Sequence, residues 1–162
     1  MDREIVIERF SEENADAVAK IAINAWTGIH KSAREDLGDE LYEAFNTGWQ
    51  ERKVNSVLGE MRGERGYVIK VDGVVAGFIS YQINPEFKSG MICNNGVSSD
   101  FRGLGLGPRM YQFVMDKMKE EGMLYAQVIT GLDEGHAPAR KAYQKAGFVK
   151  NRPSVCYYKK LD

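Results

Sequence analysis

The run Arg102-Gly103-Leu104-Gly105-Leu106-Gly107-Pro108 decides how the rest of this sequence is read. Residues able to form a strand, Met91 to Val97, precede it. After it Tyr111, Val114, Met115 and Met118 recur at helical spacing. Alternating glycines between a strand and a helix let successive backbone N–H groups point outward, and the helix adds the positive end of its dipole. Such a loop can cradle phosphate oxygens. A Walker loop would end in Gly-Lys-Ser/Thr, which this run lacks. A dinucleotide fingerprint would need glycine where Pro108 stands, and a place after the first strand of the chain.

Working back from the loop, Tyr67 to Val71 and Val74 to Ile83 flank Asp72-Gly73, a two-residue signal for a type I′ hairpin. Before the hairpin the period is helical. Val18, Ile21, Ala22, Ala25, Trp26 and Ile29 share one face of a first helix, entered through Ser11 with acidic Glu12 and Glu13. A second helical pattern runs from Leu37 through Trp49 to Met61, weakened by Gly48 and Gly59. Ile5 to Phe10 reads as the first strand.

Working forward, Gly122 ends the helix after the loop, and Leu124 to Thr130 forms a strand. Pro138 lies in the first turn of a last helix that stops at Gly147, and Val155 to Lys159 supplies a terminal strand. The order β, two helices, three strands, helix, strand, helix, strand predicts one α/β domain with a mixed sheet.

Charge narrows the function. In 162 residues, 22 basic and 23 acidic side chains give a net charge of -1, with no field to gather nucleic acid or an anionic membrane. Cys93 and Cys156 lie far apart, without cysteine or histidine at metal-ligand spacing, so neither a metal site nor a disulfide is expected. With no long apolar segment in view, the expectation is a cytoplasmic protein.

The glycine run resembles the pyrophosphate loop of the GCN5-related N-acetyltransferase (GNAT) superfamily: Gln or Arg, two residues, Gly, one residue, Gly or Ala. Arg102, Gly105 and Gly107 match it, and Val97-Ser98-Ser99-Asp100-Phe101 resembles what precedes it. About 40 residues on, Ala139, Tyr143 and Gly147-Phe148 resemble the family's second pattern, spaced along the next helix. The likeness is close from Tyr67 to Phe148 and loose before.

The resemblance implies an α/β (α+β mixed sheet) GNAT-like acyl-CoA N-acyltransferase fold, a central mixed sheet flanked by helices, as a single domain over 1–162. Its sheet would splay between the strand ending at Val97 and the strand ending at Thr130. Coenzyme A would lie there, its pyrophosphate on the loop from Arg102 and Gly103 through Leu104, Gly105, Leu106 and Gly107. Its pantetheine arm would run along Cys93 to Val97 like an added strand. Acetyl-CoA is thus the implied co-substrate, a primary amine of a small molecule or peptide the implied acceptor, and a homodimer the implied assembly. The alternative is a catalytically silent acyl-CoA-binding regulatory module, because the loop guarantees only binding.

By the same resemblance Tyr143 is the acid that protonates the departing thiolate; on its own spacing it also fits a core aromatic. His136 stands where the family has Asn, and reads equally as a contact to the cofactor arm or as a helix cap. Arg102 binds phosphate or shapes the turn. The general base is open: the strand before the loop holds no acid, which leaves His30, Glu86 or a water chain from Asn94 or Asn95.

Overall fold

A computed structural model describes residues 3–161; Asp162 and the charged Met1-Asp2 start lie outside the described residues. Asp72 and Gly73 take φ of 50° and 81°, the left-handed pair that a type I′ turn requires, and Val71 faces Val74 across it. The turn joins β2 (Gly66–Val71) to β3 (Val74–Asn84). Around this hairpin the chain adds β1 (Ile5–Arg9), α1 (Ala15–Asn46), α2 (Trp49–Arg62), β4 (Ser89–Val97), α3 (Leu106–Glu120), β5 (Tyr125–Val128) and α4 (Ala137–Lys145). The sheet runs in the order β1-β2-β3-β4-β5, antiparallel except for the parallel pair β4 and β5.

The two-residue period of the central strands separates two cores. Val68 and Phe78 face α1 and α2, where Val18, Ile21, Ala22, Val57 and Met61 bury against them. Ile69, Ile79 and Ile92 face the opposite side and pack under Met110, Val114 and Met118 of α3 and Tyr143 of α4. The mixed sheet flanked by helices is therefore the architecture expected from the sequence.

Three elements differ from that expectation. The first helix does not end after Ile29. His30 to Leu37 contains no glycine or proline, so α1 continues until Gly38 (φ 73°, ψ 163°) breaks it, and resumes to Asn46. Gly48, at φ 72°, then caps α2, while Gly59 sits inside α2 without interrupting it. The fifth strand is shorter, Tyr125–Val128 in place of Leu124 to Thr130. Val155 to Lys159 forms no strand. Val155 and Tyr157 are exposed, Tyr158 packs edge-on against Phe45 of α1, and Lys160 pairs with Glu40 at 2.5 Å. Its alternation of bulky residues suits a strand, but among the described residues it joins no ladder of the sheet, and Tyr158 and Lys160 meet α1.

Glycine ends α3 and α4 in the same way. Beyond α3, the Gly122 N–H donates to Lys119 O and the Met123 N–H to Met118 O; beyond α4, Gly147 donates to Gln144 O and Phe148 to Tyr143 O. With φ of 85° and 97° at the two glycines, both are Schellman closures. The second one holds the backbone of Tyr143 directly. No helix among the described residues is long and apolar enough to cross a membrane.

Two glycines, Gly59 inside α2 and Gly66 at the start of β2, test the corner between these elements. A Cβ on Gly66 would lie 2.5 Å from Met61 Cα and overlap its carbonyl, whereas a Cβ on Gly59 meets nothing within 4 Å. Urea denaturation is expected to show Gly66→Ala less stable by about 1–3 kcal/mol, through backbone overlap. Gly59→Ala should be more stable by about 0.5–1 kcal/mol, through the lower entropy of its unfolded chain. An unchanged midpoint for Gly66→Ala would show that the corner yields freely.

Candidate active site

The site begins where β4 leaves β5. Their ladder joins Ser89 through Ile92 to Tyr125 through Val128, and from Cys93 to Val97 β4 has no β5 partner among the described residues. On its other edge β4 carries a bulge. Ile79 faces Asn95 and Tyr81 faces Ile92, so Ser80 stands against two residues, Cys93 and Asn94. The parting opens a cleft of about 760 Å³, walled by β4, the start of α3, α4, and parts of α1 and α2. This is the splay that the family resemblance implies between these strands.

Asn95 and Asn94 point to opposite sides of β4. The Asn95 amide donates from Nδ2 to Cys93 O at 3.2 Å and to the Tyr143 hydroxyl at 3.0 Å, while its Oδ1 accepts from the Tyr111 hydroxyl at 3.1 Å. The Cys93 carbonyl can only accept, which fixes the orientation of the amide. Tyr143 Oη is therefore an acceptor toward Asn95, and its own proton is free for the cleft that Tyr143 lines. Burial raises the Tyr143 pKa above its usual 10, with Asn95 and Tyr111 pulling it partly back, and burial likewise raises Tyr111. The ring is only 7% exposed and packs against Tyr111 and Phe148. The side chain thus belongs to the core cluster and, through its hydroxyl, to the Asn95 hydrogen-bond network.

The glycine loop divides between rim and core. Gly103 and Gly105 take φ of 81° and 68°, and Gly105 caps α3, so the first-turn amides of Leu106 and Gly107 point out of the helix. Pro108 follows with no N–H to leave unpaired. Of the residues that the sequence marks for the cofactor, Val97, Arg102, Gly107 and His136 line the cleft. Gly103 and Gly105 form the exposed turn before it, Leu104 packs against the core, and the Leu106 side chain is buried. These four are brought to the α3 end of the cleft without lining it.

His136 caps α4, and its Nδ1 is bonded to Asp133 Oδ1 at 2.6 Å. His136 holds the N-cap position through its backbone only: its side chain makes no capping bond and lines the cleft instead. Burial works to raise the Asp133 pKa, but hydrogen bonds from His136 and the loop outweigh it and hold the carboxylate below its usual range. Arg140 donates to the carbonyls of Gly131 at 2.8 Å and Asp133 at 2.7 Å, pinning the loop after β5. Nearby, Thr130 Oγ1 and Asp133 Oδ2 are buried without a protein partner among the described residues, and Thr130 lines the cleft.

The candidates for a general base fare differently. His30 stacks on Trp49 at 3.9 Å and bonds Tyr42 Oη through Nδ1; burial, then Lys53 and Arg52, lower its pKa. It is not part of the cleft wall, and Glu86 lies in an exposed loop. Asn94 and Asn95 do line the cleft, but the Asn95 amide is committed as described. Glu60 and Lys53 of α2, absent from the sequence reading, line the cleft as well. Glu60 accepts from Ser80 Oγ at 2.6 Å, Asn94 N at 3.2 Å and Asn94 Nδ2 at 2.7 Å, while Lys53 Nζ donates to Asn94 Oδ1 at 2.8 Å. A sequence signal existed: Lys53 and Glu60 stand four before and three after buried Val57, on its helix face.

The Cys93 thiol in the cleft wall offers a chemical check of this geometry. Burial, assisted by the Glu60 charge, pushes the Cys93 pKa from 9.0 up to about 11, while Cys156 is exposed. The raised value means less thiolate at any pH below it, so at pH 8 Cys93 should react with iodoacetamide on the order of 100-fold more slowly than an unshifted thiol. Peptide mass spectrometry should find Cys156 alkylated first, and the Cys93 rate still climbing between pH 9 and 11. Equal rates at pH 8 would contradict the burial of Cys93.

The folded chain has clear relatives among solved structures. It is similar to PaiA N-acetyltransferase of Thermoplasma acidophilum in complex with coenzyme A, with a TM-score of 0.69, 15% identity and 93% of each chain covered. It is also similar to a possible acetyltransferase of Clostridium difficile 630, with a TM-score of 0.65, 16% identity, and 98% of this chain and 99% of that one covered. Ard1 of Thermoplasma volcanium gives a TM-score of 0.63 at 23% identity, over 91% of this chain and 84% of that one. At these identities the likeness speaks for the fold. No curated protein matches by sequence. The family model described as Acetyltransferase (GNAT) family matches residues 30–148, which takes in the cleft's glycine loop, Tyr143 and Lys53 together, and the chain belongs to that family.

Proposed function

We propose that the protein is an acetyl-CoA-dependent N-acetyltransferase acting on a primary amine of a small molecule or peptide. The observation that carries this reading is the hydroxyl of Tyr143. It receives a hydrogen bond from Asn95 and keeps its own proton for the cleft, beside a strand edge left free of partners.

The residues present fit a coenzyme A chain. The free edge of Cys93 to Val97 can pair with the amides of a pantetheine arm, and the buried Thr130 Oγ1 lacks a partner that such an arm would supply. The outward amides of Leu106 and Gly107, at the positive end of α3, suit a pyrophosphate, with Arg102 beside them. His136, through the ring nitrogen that Asp133 does not use, faces the same side of the cleft. Acetyl-CoA supplies a thioester, which an amine opens with loss of a thiolate. Tyr143 gives its proton to that leaving sulfur, and the proton that the attacking amine loses passes to solvent water in the cleft, from which Tyr143 is reprotonated. Burial raises the Tyr143 pKa, which favours the protonated hydroxyl that this role requires.

Tyr143→Phe keeps the ring and its packing, and is expected to lower turnover by about 10²–10⁴ with little change in acetyl-CoA affinity. Turnover within a few-fold of the natural chain, with chemistry rate-limiting, would remove Tyr143 as the acid. For binding, Gly107 is the informative glycine. A Cβ there meets only the Tyr111 ring at 3.8 Å, whereas Gly105 has a φ of 68° that strains any side chain. Calorimetry should show acetyl-CoA affinity at least about tenfold weaker in Gly107→Val, at nearly unchanged melting temperature. Equal affinity would place the pyrophosphate elsewhere.

A further inference from the structure

The α2 end of the cleft has an unusual charge arrangement. Lys53 is half-buried. Its ammonium lies 3.8 Å from the centre of the Trp26 ring and donates to Asn94 Oδ1, so that it forms part of the cleft wall. Burial lowers its pKa against the pull of Glu60. The Asn94 side chain stands between the two charges, bonded to Lys53 through Oδ1 and to Glu60 through Nδ2. One charge of each sign is therefore held at this end without direct contact.

The two charges differ in what they have left to offer. Glu60 already accepts three hydrogen bonds, from Ser80 Oγ, Asn94 N and Asn94 Nδ2, so its carboxylate is largely consumed by the protein. Lys53 has three N–H groups, of which one goes to Asn94 and one face is covered by Trp26. What remains for a ligand is a cationic donor. Arg52, next in the chain, is spent on the carbonyls of Thr47 and Phe45 and adds nothing to the cleft. The remaining cation of the wall, Arg102, stands at the opposite end beside the glycine loop. A site for a polycationic amine would need several unspent carboxylates, and among the described residues this wall holds Glu60 as its single acidic side chain.

Taking the acetyl-transfer reading of this cleft as its basis, we propose that the acceptor is an amine that also carries a carboxylate, of amino-acid type, and that Lys53 binds that carboxylate. A carboxylate adds one negative charge and meets the unspent N–H groups of Lys53, whereas a phosphate would bring a second negative charge into a half-buried wall that already holds Glu60. Trp26 and Asn94 are positioning residues here, holding the Lys53 ammonium in the cleft.

The test is a rate panel of the natural chain with acetyl-CoA, following thiol release. The standard L-amino acids are each compared with their α-carboxamides, and spermidine represents a polycation. The expected result is a kcat/KM for at least one amino acid about 100-fold or more above that of its carboxamide, expressed mainly in KM. Spermidine should be poor. Lys53→Met should bring the acid and its carboxamide to within about threefold, and Lys53→Arg should retain most of the preference. Equal kcat/KM for acids and carboxamides in the natural chain, or a preference that survives Lys53→Met, would overturn the proposal while leaving acetyl transfer intact. If no amine is acetylated, the catalytic reading fails, and calorimetry of the same pairs on the coenzyme A-loaded protein decides the Lys53 claim. Amino acids binding no better than their carboxamides would then overturn it too.

Discussion

Everything the cleft can do depends on β4 abandoning β5 after Ile92. A parallel pair gains hydrogen bonds at each step, so four ladder positions followed by a parting leave backbone groups unused on a long central strand. The bulge against Ser80 turns that loss into a site. It bends β4 at the residues that carry amide side chains, one directed toward α2 and the next toward α3 and α4. The two asparagines then organise both arms of the cleft: Asn95 orients the tyrosine hydroxyls, and Asn94 spaces a lysine from a glutamate.

This division gives neutral amides at both positions a physical reason. A carboxylate at Asn95 could accept from both tyrosines but could not donate, and Tyr143 would then have to spend its own proton on it. The amide leaves that proton available. At Asn94 the same chemistry works in reverse. An amide satisfies an ammonium and a carboxylate at once without letting them collapse into a direct pair, which would bury the charge that the cleft presents.

What the sequence made legible follows from local rules. Asp72-Gly73, the glycine run, Gly122 and Gly147 announce themselves because only glycine relieves the left-handed backbone at Gly73, Gly103, Gly105, Gly122 and Gly147. Tyr143 was legible through its spacing to Gly147-Phe148, which the closure of α4 explains. The partners of Asn94 and Asn95 were not, since an amide's role depends on which two groups flank it after folding. Lys53 and Glu60 read as ordinary charges on a helix, and only their position beside Val57 hinted that they turn inward. The terminal segment misled in the other direction: alternation at Val155 and Tyr157 describes a strand, but Phe45 and Glu40 of α1 take up its neighbours Tyr158 and Lys160.

A parted sheet must also be kept from closing, because pairing Cys93 to Val97 with an extended β5 would recover the missing ladder. Two features oppose it. Cys93 O is already occupied by the Asn95 side chain, so the first step of closure would release the amide that holds Tyr143. On the other bank the chain after β5 is tied back by Arg140 and by the His136–Asp133 pair, and it is wedged against α1. At Gly135 a Cβ would come within 2.6 Å of Ile29 Cα and 2.9 Å of Gly28 O, so the approach of backbone to backbone there depends on the missing side chain. The long first helix thus acts on the cleft through its middle, at Gly28 and Ile29, by holding the far bank in place. The cleft is in this sense preorganised: the cost of separating the strands is met during folding by contacts remote from the reacting atoms, and a ligand that pairs with β4 gains hydrogen bonds without first having to open the sheet.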